Sequence, residues 1–119
     1  MTGKFTIIAI TQDISFSMKL FKICEKYGYD LVFPEVGDLN YEQMPKDKGI
    51  LVFDASESTI EYLEVLKLLS IEIKIPMIAI MPKILRSFRD RLREINFQLT
   101  YPKSMFLKNI SQIIEQINE

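Results

Sequence analysis

Asp54 closes the apolar run Gly49-Ile50-Leu51-Val52-Phe53-Asp54, so a carboxylate ends a stretch otherwise built for burial. An ionised carboxylate in such a setting must find hydrogen-bond or charge partners, or take up a proton. The question is which side chains the fold brings beside it. The chain has no histidine and a single cysteine, which removes most zinc-ligand sets and every histidine-dependent nucleophilic triad. Cys24 falls within an amphipathic run and reads as a buried structural thiol, because apolar surroundings disfavour the thiolate. Thr11-Gln12-Asp13-Ile14-Ser15 contains no glycine, so a phosphate-cradling loop for a dinucleotide or flavin has little support.

The elements that must position Asp54 follow from hydrophobic spacing. Lys4 to Ile10 is a short run rich in β-branched residues and reads as a first strand. Phe16, Leu20, Ile23, Cys24 and Tyr27 then recur at helical spacing, and Gly28 suits the left-handed residue that commonly ends a helix. Tyr29 to Phe33 makes a second strand, followed by a short helix over Leu39 to Met44 that Pro45 would limit. Ile50 to Phe53 is the third strand. Ser58-Thr59-Ile60-Glu61 matches a capping box opening a helix with Tyr62, Val65, Leu66 and Leu69 on its core face. Pro76 to Met81 forms strand four, and Ile84 to Ile95 a helix with Leu85, Phe88, Leu92 and Ile95 on one side. Phe97 to Tyr101 is strand five. Ser104 can cap a last helix carrying Phe106, Ile110, Ile113, Ile114 and Ile117. The phenylalanines Phe16, Phe21, Phe88 and Phe106 sit at spacings that predict core or half-buried packing.

Strand and helix alternate five times, and the strands are apolar nearly throughout. This pattern predicts an α/β fold, a parallel sheet covered by helices on both faces. At 119 residues one domain spanning 1–119 is expected, long enough to bury a core without disulfide or metal staples. Apolar residues make up 48% and charged residues 26%, a balance that argues against disorder. The net charge of −1 gives no general attraction to nucleic acid or to an anionic membrane. No apolar run is long enough for a membrane span, and the N-terminus does not read as a signal peptide, so a cytoplasmic location is expected. In open parallel sheets the functional crevice lies at the carboxyl ends of the strands. Thr11-Gln12-Asp13, Asp54, Met81 and Tyr101-Pro102 should meet there.

With Asp54 ending strand three and Tyr101-Pro102 ending strand five, the whole chain resembles the CheY-like receiver domain of two-component response regulators. The resemblance implies a flavodoxin-like (βα)5 doubly wound, five-stranded parallel sheet in the order 2-1-3-4-5. It also implies a phosphoacceptor position at Asp54. Receivers hold Mg²⁺ partly through two acidic residues after strand one, and those positions here are Thr11 and Gln12, which supply no charge. Asp13 is the nearest remaining acid and is expected to cap the first helix. The family hydroxyl at the end of strand four corresponds to Met81, which cannot donate. The family lysine ending strand five corresponds to Tyr101, and Lys103 would need a changed loop to replace it. The aromatic residue often found in that strand corresponds to Gln98. The Tyr101-Pro102 bond is expected to be cis, as the equivalent bond commonly is in receivers.

The reading is a degenerate pseudo-receiver: a non-catalytic signalling domain without a cofactor, in which Mg²⁺ binding is weak or absent. In it Asp54 accepts hydrogen bonds from Thr11, Gln12, Ser56 or Ser58. Phosphoryl transfer depends on positioning and charge stabilisation, and the residues that provide both have been replaced. The alternative is an atypical regulator still phosphorylated on Asp54, with Asp13, Glu57 or Lys103 rebuilding the site. Arg86, Arg89 and Arg93 form a basic stripe opposite the apolar side of their helix. With Tyr101 as an aromatic anchor they are the candidate surface for a protein partner or a homodimer, which in receivers uses that helix, strand five and the last helix. Neither nucleic acid nor a membrane is expected as a partner.

Overall fold

The computed structural model describes residues 5–35, 48–55, 61–69, 74–81, 92–95, 97 and 99–117. The elements are β1 (Thr6–Ile10), α1 (Ile14–Tyr27), β2 (Asp30–Val32), β3 (Gly49–Asp54), α2 (Glu61–Leu69), β4 (Met77–Met81), β5 (Leu99–Pro102), α3 (Lys103–Lys108) and α4 (Ile110–Ile117). The expected helix over Leu39 to Met44, most of that over Ile84 to Ile95, and the Ser58-Thr59-Ile60 part of the capping box lie outside the described residues.

The strands form one sheet in the order β2-β1-β3-β4-β5, and every pairing is parallel. Successive side chains of a strand point to opposite faces, and both faces here are covered, which is why the strands read as unbroken apolar runs. Ile8, Ile10, Leu51, Phe53, Met77, Ala79 and Met81 pack with Tyr62, Leu63 and Leu66 of α2 and with Leu92 and Ile95. Ile7, Ala9, Ile50, Val52, Ile78 and Ile80 take the other face, against Phe16, Leu20 and Cys24 of α1, Phe106 of α3, and Ile110, Ile113 and Ile114 of α4. Each fully buried Ile, Leu or Phe contributes about 1.5–3 kcal/mol of transfer free energy, so a one-residue slip of β3 or β4 would exchange two complete cores. That penalty fixes the register Leu51↔Met77 to Asp54↔Ile80, and with it the height of Asp54 in the crevice.

Helix α1 ends as its sequence suggests. Gly28 adopts φ 76°, and its N–H donates to the Cys24 carbonyl. Cys24 is buried, and desolvation pushes its thiol up to about 11, in keeping with a packing role.

Several expectations need correction. Phe21 is 55% exposed, because α1 turns Phe16 and Leu20 inward and Phe21 away from the sheet. Strand five runs one residue further than expected: Pro102 is extended, with φ −61° and ψ 143°, and pairs with Met81. The Tyr101-Pro102 peptide is trans, since no cis bond occurs among the described residues. The chain passes straight from the sheet into α3 at Lys103, so Ser104 lies inside the helix and does not cap it. The single last helix is divided at Asn109, whose φ of −120° leaves the helical range while its side-chain Nδ2 donates to the Met105 carbonyl at 3.1 Å.

Candidate functional site

The five parallel strands deliver their carboxyl ends to one rim, and the segments that follow β1 and β5 both reach Asp54 there. The carboxylate is 4% exposed, the buried charged residue among the described side chains. Parallel pairing of β1 with β3 brings the residue after Ile10 level with it, so Thr11 Oγ1 donates to Asp54 Oδ2 at 2.6 Å. The same hydroxyl oxygen accepts from the Asp13 amide at 3.1 Å, which tightens the turn into α1. Thr11 thus fills with a neutral donor the space where the resemblance implies an acid.

Asp13 has two roles. Its Oδ1 accepts from the Phe16 amide at 3.0 Å, the N-cap bond expected of it. Its Oδ2 accepts from Lys103 Nζ at 2.7 Å, and the same ammonium donates to Asp54 Oδ2 at 2.9 Å. One cation therefore ties the start of α1, the end of β3 and the start of α3 together. The extended Pro102 and the immediate start of α3 are the changed connection that lets Lys103 reach the crevice from two positions beyond Tyr101. Its side chain is 15% exposed, and its ammonium lies 5.2 Å from the centroid of the Phe16 ring.

The charges support one another. Burial disfavours the ammonium of Lys103 and is its largest single influence, but the hydrogen bonds to Asp13 and Asp54 and the negative charge of both carboxylates together outweigh it and raise its pKa above the ordinary value. Asp13 is held below its ordinary value, first by the hydrogen bond from Lys103 and then by the Phe16 amide.

The remaining candidates are dispersed. Met81 is buried in the core on the α2 side, with no donor to offer. Gln12 is exposed and stands with Thr11 on the rim of a groove along α1. Tyr101 is half-buried against the α1 and α4 core, and Pro102 is half-buried beside it. Arg93 is exposed, whereas Arg86, Arg89, Gln98, Ser56, Glu57 and Ser58 lie outside the described residues. Lys103 is the residue that inspection of the sequence undervalued. Two carboxylates near a strand-end crevice, with a lysine just beyond the strand-end proline, were the available signal.

No family model and no curated protein matches the chain. Among solved structures it is similar to the solution structure of a response regulator protein from Burkholderia multivorans. The match has a TM-score of 0.69 and 16% identity, and covers 98% of this chain and 97% of the other. The fold is that of a receiver. At that identity the likeness carries architecture, and the chemistry must be argued from the residues present. Among the described residues no group of three His, Cys, Asp or Glu is arranged to hold a metal ion. No described helix is long and apolar enough to cross a membrane.

Proposed function

We propose that this chain is a pseudo-receiver, a non-catalytic signalling domain that works by phosphorylation-independent protein contact. The receiver fold over nearly the whole chain supports a signalling role. The observation that carries the finer reading is the Lys103 ammonium, bonded at once to Asp13 and Asp54. Mg²⁺ favours hard oxygen ligands with negative charge and near-octahedral geometry. In this crevice the two carboxylates already face an ammonium, and Thr11 and Gln12 stand where acids would be needed. The donor set does not fit the ion, so Mg²⁺ binding is weak or absent in this reading, and Asp54 serves to join three elements. Contact with a protein partner or a second copy would use the surface around Arg86, Arg89, Arg93 and the exposed edge of Tyr101. The domain would act in the cytoplasm, without nucleic acid or membrane.

Incubation with acetyl phosphate and Mg²⁺, followed by intact-mass measurement, tests the proposal: no stable phosphoryl adduct should form. An adduct abolished by Asp54→Asn would establish the second reading, an atypical regulator phosphorylated on Asp54. One observation favours that reading. Asp13 and Asp54 both reach a single cation, so displacing Lys103 would leave two carboxylates facing one point.

A further inference from the structure

A second surface lies away from Asp54, where α1 runs beside α3. Ile23 and Leu107, both half-buried, floor a groove of about 480 Å³ between the two helices. Its walls carry Lys19, Lys22 and Lys108, all exposed, together with the hydroxyl of Ser104. Among the described residues none of these three lysines takes part in an ion pair, unlike Lys103. The groove continues past Lys19, Ser104 and Leu107 into a smaller one of about 320 Å³ that ends at Asp13 and Lys103. Three cations facing an apolar floor, on a chain whose net charge is −1, form a local patch and not the sign of the whole molecule.

We propose that this groove docks an acidic, partly apolar segment of a partner protein. Its carboxylates would pair with Lys19, Lys22 and Lys108, and an aliphatic side chain would cover Ile23 and Leu107. The shape favours a peptide segment over the other anionic partners. A membrane surface needs apolar side chains that project outward, and here the apolar residues lie below the lysines. A nucleic acid draws its affinity from many neutralised phosphates, and three lysines supply few. The inference rests on the reading that the domain acts by protein contact, and it is independent of the state of Asp54.

The test is titration of the full chain with a synthetic peptide of alternating Glu and Leu, followed through backbone amide shifts. Saturable shifts should centre on Lys19, Lys22, Leu107 and Lys108. Affinity should fall at least tenfold in Lys19→Glu with Lys22→Glu, and also when Gln replaces Glu in the peptide. Lys108→Gln, a milder change on the opposite wall, should weaken binding without altering the thermal unfolding midpoint. The proposal is overturned if the shifts do not saturate, if charge reversal leaves affinity unchanged, or if phosphatidylglycerol vesicles or a single-stranded oligonucleotide bind the groove as well as the peptide does. An Asp54 phosphoryl adduct would leave the groove result standing, and a groove that binds nothing would leave Asp54 inert, so the two readings fail separately.

Discussion

Lys103 decides how the crevice is understood. Removing one member of a buried ion pair strands the other, and such losses run to about 3–5 kcal/mol. Lys103→Met should therefore destabilise the chain by roughly that amount in chemical denaturation. Adding Asp54→Asn should recover most of the loss, since the neutral amide oxygen would still accept from Thr11 without needing a cation. The same Lys103→Met change exposes Asp13 and Asp54 to solvent cations, so its Mg²⁺ affinity should exceed that of the unsubstituted protein in calorimetric titration. Asp54 and Thr11 were legible in the sequence because strand ends in a parallel sheet converge whatever the loops do. The dual role of Asp13 was half legible: its capping position is local, but its second bond spans 90 residues. Lys103 was not legible, because its reach depends on where β5 stops and on the path of the backbone through Pro102, neither of which leaves a mark in hydrophobic spacing.

At the scale of elements, the two ends of α1 carry different loads. The Asp13 end is tied to the crevice, whereas the Gly28 end is purely a matter of backbone. A Cβ on Gly28 would meet nothing within 4 Å, so Gly28→Ala isolates the strain of a left-handed φ. It should cost about 1 kcal/mol in equilibrium unfolding and leave the crevice resonances unmoved. The strands were readable because burial on both faces writes continuous apolar runs into the sequence. The division of the last helix was not, since Phe106, Ile110, Ile113 and Ile114 keep one apolar face across Asn109, and the break is made by backbone angles and a side-chain hydrogen bond. The exposure of Phe21 was missed for a related reason: helical spacing says which residues share a face, and α1 carries a second apolar face, with Ile14, Met18 and Phe21 exposed on it.

For the whole molecule, the ion pair couples stability to pH at both extremes. The pKa of Asp13 is depressed in the fold, so its contribution is present above its ordinary value of 3.8 and is lost as pH falls through the folded value below that. Lys103 is raised, so its contribution is present below 10.5 and is lost as pH climbs through a folded value above that. Thermal unfolding across pH should show both limbs, and Lys103→Met should flatten the alkaline one and weaken the acid one. The pseudo-receiver proposal turns on what occupies the two carboxylates. Amide chemical shifts report this most directly when the full chain is titrated with Mg²⁺ and beryllofluoride, a phosphoryl mimic. A crevice closed by Lys103 should give no saturable change at Thr11, Asp54 or Lys103 with either ligand alone or with both together. Saturable shifts at those residues that require both Mg²⁺ and beryllofluoride, and that vanish in Asp54→Asn, would contradict the pseudo-receiver reading and return Asp54 to the role of phosphoacceptor.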